Sequence, residues 1–559
     1  MGRGQPSSDD AGRPREQGVA WALAGALVSC FVLQCVTGMA WQSATYDEPV
    51  YVAAGYSYVE TGDFRLKRDA PPLVATLSGL VLELGTHFGN PVPFDATSTL
   101  WNGSTEYAFA EQFLAGVKDR QRTLLLARIP VVLIGAALAW YVFLAGRLLL
   151  GDVLALLPLA LLCFDPNLVA HARVVSCDVA LAAFFFVAHH YLYRLLTEPG
   201  PGNLLGLSLA AALATLAKFT GLLVFPSLAL VAGLAFAFPG LLPLYPWAGD
   251  ASQRRRRVRR IGLQAALASA AATLLLVSLL YRSWTGLAEY AAGLRTVYAN
   301  AAPGYQFYLL GHFAPHSFWY YYPVAMLLKT PEHTLVLLAL AALAACIPGT
   351  RPARGFWLLV PVALVLLVCS RDPANLGLRR VLLVYPFLFL WIGERFAALR
   401  ERGSRPRERR LGVRLIEVGV GLLVAAGILS AVLAHPHQLA YFNRFVGGPA
   451  RGYLYLDDSN LDWGQDLPGL AAWQAEHGVR PLALWYFGTD APAAYGIDWR
   501  PVADDELLRP RRAVYAISVN RLIGLKLAAR QRGQPQLDWL VRYRPATRIG
   551  HSIFIYDFR

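Results

Sequence analysis

Long apolar runs separated by short polar connections make up most of this chain. The first run extends from Val19 to Trp41 and is followed by a polar stretch from Gln42 to about Arg122. Further apolar runs lie near 124–146, 152–168, 174–194, 203–218, 220–240, 261–282, 319–347, 355–370, 379–396 and 412–434. Apolar runs of this length predict membrane-crossing helices, so the pattern predicts a mainly α, polytopic helix bundle of about 11 spans. The runs on either side of Lys218 are both short, and the run at 319–347 can be entered by a half-buried segment. From about His435 the period changes to short alternating stretches: Leu482 to Phe487, Ala513 to Ile517 and Ser552 to Tyr556, with a helical pattern over Leu522–Arg530. Alternation bounded by turn residues predicts a small α/β domain. Three parts follow: a tail at 1–18, a membrane domain at 19–434 with a long first loop at 42–122, and a C-terminal domain at 435–559. Long connections of that kind are usually functional.

Composition supports the membrane reading. Hydrophobic residues make up 56% of the 559 and charged residues 16%. The net charge of +14 does not imply nucleic acid, because much of the excess sits in short connections. With the N-terminus inside, Arg147, Arg194, Arg254–Arg260, Arg351–Arg354 and Arg400–Arg414 all fall on one face, as the positive-inside rule requires. The first loop, 165–178, 283–318, Arg371–Arg379 and the C-terminal domain then share the outer face. Met1–Gln17 lacks the form of a signal sequence, and the first apolar run reads as a retained helix. The six cysteines have no paired metal or disulfide spacing and read as small buried side chains.

The chemistry gathers on that outer face. Thr45-Tyr46-Asp47-Glu48-Pro49 places adjacent carboxylates where the first helix ends, and Arg65-Leu66-Lys67-Arg68-Asp69 follows, closed by Pro71-Pro72. Asp165 and His171, then Asp178, Lys218, His316, Lys329, Arg379 and Arg380 also lie at or near the ends of apolar runs. Ionisable groups at membrane depth are costly and default to functional readings. Lys and Arg there can hold a phosphate, and an accessible carboxylate can take a proton from a hydroxyl. Each residue also has a plain alternative: interfacial charge for Asp47 and Glu48, snorkelling for Lys218, Arg379 and Arg380, packing for His171 and an aromatic belt for Tyr320. No Gly-rich phosphate loop follows a strand, which favours a lipid-linked donor over a nucleotide sugar.

The order Tyr46-Asp47-Glu48, Gly55-Tyr56-Ser57-Tyr58, Gly62-Asp63-Phe64-Arg65-Leu66 and Pro71-Pro72-Leu73 resembles family 39 glycosyltransferases of the GT-C superfamily. Asp165-Pro166-Asn167, Ala170-His171-Ala172, Ala217-Lys218-Phe219, Phe318-Trp319-Tyr320-Tyr321 and Asn375-Leu376-Gly377-Leu378-Arg379 extend the resemblance. His435-Pro436-His437-Gln438-Leu439-Ala440-Tyr441-Phe442-Asn443 and Asp458 to Asp466 are its most specific parts. The resemblance implies Asp47 as the base, assisted by Glu48 and Asp178, with Lys218, Arg379 and Arg380 on the donor phosphate. It implies Asp69 and His316 as candidate divalent-metal ligands. His171, Tyr320, Asp462 and Trp463 become candidate lining residues. Many relatives carry His or Lys where this chain has Ala70, which shifts phosphate holding to Lys218, Arg379 and Arg380.

The expected activity is transfer of a sugar from a polyprenyl-phosphate-linked donor to an acceptor hydroxyl on protein, lipid or glycan, with inversion. The expected place is the bacterial cytoplasmic membrane, with the site facing outward among membrane lipids. A carrier for lipid-linked sugars and an inactive assembly partner are the alternative readings. The carrier calls for inverted repeats and broken helices, and no repeat is evident in the sequence.

Overall fold

The computed structural model describes residues 8–103, 106–238, 251–299, 304, 306–347, 355–403 and 407–559. Residues 1–7 of the tail and the basic cluster Arg351–Arg354 lie outside that set. Among the described residues, seven helices are long and apolar enough to cross a bilayer: Gln17–Met39, Arg120–Leu150, Asp178–Thr197, Phe219–Ala237, Arg255–Leu280, Leu378–Arg402 and Leu411–Ala434. The chain is a multi-pass membrane protein.

The remaining predicted spans take other forms. The run at 319–347 is a broken pair, Tyr321–Lys329 and Glu332–Ala345, bent by 116°. Pro331 stands at the break, and Thr330 before it is extended at φ −71° and ψ 132°, as a residue preceding proline prefers. Pro201–Ala217 and Phe356–Cys369 are shorter apolar helices. The run at 152–168 divides into Leu156–Cys163 and Pro166–Ala172. Its divider is Asp165, whose side chain accepts hydrogen bonds from the Asn167 and Leu168 amides at 2.9 and 3.0 Å. Pro166 at the first helical position has no amide to satisfy.

The first loop is largely helical, with Glu48–Thr61, Leu73–His87, Thr99–Gly103 and Glu106–Gly116. Its first two helices cross with their backbones nearly touching. A Cβ added to Gly55 would lie 2.0 Å from the Ala75 carbonyl oxygen, and one added to Gly79 would lie 2.0 Å from that of Gly55. Small residues permit this approach.

The C-terminal region carries a five-stranded sheet in the order Trp499–Pro501, Leu482–Trp485, Val514–Ser518, Ile553–Asp557, Thr547–Ile549. Leu482–Trp485 is parallel to both neighbours, and Ile553–Asp557 is antiparallel to both of its own. Alternation sorts the side chains as a strand requires. Leu482, Leu484, Val514, Ala516, Ile553 and Ile555 pack with Leu467 and Leu470 of the helix Leu467–His477. Ala483, Tyr515, Ile517, Phe554 and Tyr556 face Leu522 and Trp539. Just past the carboxyl end of Leu482–Trp485, Phe487 stacks on Tyr46 of the Asp47 loop.

Candidate active site

The loop that carries Asp47 is fixed from several directions. Glu48 is fully buried, and its two oxygens accept hydrogen bonds from Arg128 Nε and Nη2, both at 2.8 Å. The same oxygens accept the Val175 amide at 2.9 Å and the Thr45 amide at 3.0 Å. Arg128 spends its remaining donors on the carbonyls of Met39, Gln42 and Ser43. Glu48 therefore welds the end of the first helix to Arg120–Leu150, and its place suits orientation of its neighbour. Tyr46 donates its amide to the Trp463 carbonyl at 2.8 Å and accepts from Thr489 Oγ at 2.5 Å.

Asp47 itself remains partly exposed at the start of Glu48–Thr61. Its Oδ1 accepts a hydrogen bond from the Tyr107 hydroxyl at 3.2 Å, and its Oδ2 lies 3.7 Å from Arg379 Nη2. Burial first, and then the Asp47 charge, push the Tyr107 phenol up, so Tyr107 remains the proton donor in that bond. Arg379 Nη1 lies 4.0 Å from Asp178 Oδ2 on its other side. Asp178, at the first turn of Asp178–Thr197, accepts a hydrogen bond from Lys218 Nζ at 2.6 Å. Lys218 reaches this point because the chain is extended there, between Pro201–Ala217 and the turn at Phe219. Arg379 also lies over the Trp463 ring, 4.5 Å from its centroid. Among the described residues its hydrogen-bonding is limited to Nε, which donates to the Leu376 carbonyl at 3.2 Å. Its two terminal nitrogens stand close to two carboxylates without a hydrogen bond to either. Asp178 Oδ2 likewise has no hydrogen-bond partner.

The fold thus brings Asp47, Asp178, Lys218, Arg379 and Trp463 into one group from five segments of sequence. His171 lies beside it, buried, with its ring 6.1 Å from that of Trp463. Burial, the largest cause, lowers its pKa to about 3, so this imidazole is neutral at ordinary pH. Asp462 is buried and accepts the amides of Asn520 and Gly464 at 3.0 and 3.3 Å. Burial raises its pKa to about 7, and the Asn520 bond ties it to the start of the helix Val519–Arg532. Three other predicted residues are engaged elsewhere or outward. Arg380 pairs with Asp372, Tyr320 is exposed beside Trp319 and Phe318, and His316 is exposed.

The donor set proposed for a metal does not fit one. Asp69 faces Lys67 Nζ, at 3.0 and 3.1 Å from its two oxygens. Among the described residues no three His, Cys, Asp or Glu side chains come together as a ligand group. In the sequence Lys67 stands only as one member of the charged run Arg65–Asp69, with no role of its own. It is buried, lies 3.5 Å from Glu106, and projects over the Tyr51 ring at 5.5 Å. Burial disfavours its charge, but Asp69, Asp47 and Glu106 outweigh that and raise its pKa. Arg128 was also missed, although a lone arginine inside an apolar run is a readable signal. Tyr107 carries no such signal. Lys329 is structural: its ammonium donates to the carbonyls of Leu439, Tyr441 and Asn460 at 3.0, 3.0 and 2.5 Å.

No curated protein matches the chain in sequence. ArnT from Cupriavidus metallidurans bound to undecaprenyl phosphate is similar at TM-score 0.47 and 12% identity, over 95% of this chain and 97% of that one. The S. cerevisiae protein O-mannosyltransferase Pmt1-Pmt2 complex bound to the sugar donor aligns at TM-score 0.34 and 16% identity, over 50% of this chain and 34% of that one. The Archaeoglobus fulgidus oligosaccharyltransferase AglB, in complex with an inhibitory peptide and a dolichol-phosphate, aligns at 0.43 and 10%, over 72% and 56%. Residues 119–240 match the family model described as dolichyl-phosphate-mannose-protein mannosyltransferase. That stretch holds Arg128, His171, Asp178 and Lys218, while Asp47, Arg379 and Trp463 lie outside it. Within residues 119–240 the resemblance read from the motifs is borne out: over that stretch this multi-pass membrane protein is similar to the dolichyl-phosphate-mannose-protein mannosyltransferases.

Proposed function

We propose that this protein is a membrane glycosyltransferase that moves a sugar from a polyprenyl-phosphate-linked donor to an acceptor hydroxyl, with inversion. One observation carries the reading: Asp47 is an accessible carboxylate held beside Arg379, whose terminal nitrogens are not spent on hydrogen bonds. A phosphate oxygen can take those donors, with Lys218 adding a second cation. The acceptor oxygen then attacks the anomeric carbon while the bond from that carbon to the phosphate oxygen breaks. The bonding electrons leave with the polyprenyl phosphate, and Asp47 takes the hydroxyl proton. Arg379 and Lys218 stabilise the charge that gathers on the departing phosphate. Tyr107 and Arg379 orient the base from its two sides, Glu48 fixes the loop, and Asp178 holds the two cations in place.

The test is label transfer from synthetic polyprenyl-phosphate sugars by the purified protein into membrane extract, comparing wild type with Asp47→Asn, each with and without chelator. Transfer by wild type and its loss in a folded Asp47→Asn support the reading. The Lys67–Asp69 pairing leads us to expect insensitivity to chelator. The broken helix at 321–345 favours a carrier for the same lipid. Tight donor binding without transfer from any donor would select that alternative.

A further inference from the structure

A row of rings leads from Asp47 onto the C-terminal domain and ends at a guanidinium. Tyr107, which donates to Asp47, meets Tyr46 edge-on with ring centroids 5.6 Å apart. Tyr46 stacks on Phe487 at 5.1 Å and an interplanar angle of 29°. Arg521 lies over Phe487 at 5.6 Å and over Trp485 at 5.8 Å. Every member of the row is partly exposed. Phe487 and Trp485 come from the carboxyl end of Leu482–Trp485, and Arg521 from the helix Val519–Arg532 that follows the adjacent parallel strand. The carboxyl ends of parallel strands are where open α/β sheets bind ligands.

We infer that this row is the acceptor site and that the acceptor is a saccharide bearing a carboxylate or phosphate group. The assignment rests on the transferase reading only for the word acceptor. Flat, partly exposed rings present the surface on which sugar faces pack, and they stand in line with the base that would deprotonate the incoming hydroxyl. Charge complementarity fixes the anionic group. Arg521 donates through Nε to the Tyr486 carbonyl at 3.3 Å, and among the described residues it has no carboxylate partner. An extended peptide would instead add to a sheet edge. This row lies at the strand ends and not along either edge strand, Trp499–Pro501 or Thr547–Ile549.

The test separates binding from turnover. Intrinsic fluorescence of the solubilised full chain is titrated with a neutral oligosaccharide, the same oligosaccharide carrying a uronate or phosphate, and a Ser/Thr-containing peptide. Arg521→Gln, Phe487→Ala and Asp47→Asn are compared with wild type, with thermal unfolding confirming that each is folded. Expected is preferential binding of the anionic saccharide, weakened at least tenfold by Arg521→Gln or Phe487→Ala and retained by Asp47→Asn. In turnover the same two substitutions raise acceptor KM and leave donor KM unchanged. Preference for the peptide, equal binding of neutral and anionic saccharides, or indifference to both substitutions overturns the inference. Saccharide binding that follows the prediction with no sugar transfer leaves this site standing and removes the transferase reading.

Discussion

Replacing Glu48 by Gln tests whether this carboxylate shapes the site or enters the chemistry. Each Glu48 oxygen accepts from one Arg128 nitrogen and one backbone amide. An amide NH2 in place of either oxygen would turn donors against donors. It would also leave the Arg128 guanidinium buried at 1% exposure without its counter-charge. Breaking a buried pair from one side costs about 3–5 kcal/mol. At ~2 °C per kcal/mol, the lower figure for larger domains, Tm falls by roughly 6–10 °C. The double substitution Glu48→Gln with Arg128→Met removes the orphaned charge and recovers part of that loss, the coupling that a double-mutant cycle measures. Thermal unfolding in detergent, followed by tryptophan fluorescence, reads the stability. Transfer per folded molecule, taken well below the new Tm, reads the chemistry. Abolished transfer at an unchanged Tm would refute the assignment of Glu48 to positioning and place it among the reacting groups.

Other outcomes follow from the same geometry. Arg379→Lys exchanges two unspent, fork-shaped donors for a point charge; losing one charged hydrogen bond, ~1.5–3 kcal/mol, raises donor KM roughly 10- to 100-fold while acceptor KM stays put. Lys67→Gln leaves Asp69 and Glu106 without their shared cation and lowers transfer about tenfold, ~1.4 kcal/mol; Lys67→Arg retains more activity, as initial rates will show. His171 takes up a proton in the unfolded chain near 6.5 but only near 3 when folded. The unfolded state therefore binds more protons across that window, and stability falls as pH drops through it, by ~1.4 kcal/mol per unit. His171→Gln flattens that acid limb in Tm measured against pH.

Hydropathy made the spans legible because membrane crossing demands a local property, an unbroken apolar run. It read less well where one polar residue divides a run. Asp165 and Pro166 end one helix and begin the next, and Pro331 bends the pair at 321–345, yet the surrounding hydropathy continues through both. The carboxylates and cations at the ends of the spans were legible for the same reason, since charge at that depth is costly. What joins them is not local. Tyr107 meets Asp47 across 60 positions and Arg128 meets Glu48 across 80, and nothing in the spacing of either pair announces the contact. The C-terminal strands were found by alternation, but Trp499–Pro501 and Thr547–Ile549 are too short to show a period. Their pairing along Leu482–Trp485 and Ile553–Asp557 supplies the order that propensity does not. Phe487 reads as the end of an apolar strand; its stack on Tyr46 places it beside the residue that precedes Asp47.

The most direct test of the central claim is sugar transfer by Asp47→Asn beside wild type, from the same labelled polyprenyl-phosphate sugar and at matched folded concentration. The substitution keeps the size of the side chain and an acceptor oxygen for Tyr107, and removes its capacity to take the hydroxyl proton. Loss of a general base contributes typically 10²- to 10⁴-fold, so transfer should fall by about that factor while donor binding persists. Wild-type transfer by a folded Asp47→Asn would contradict the account at its root.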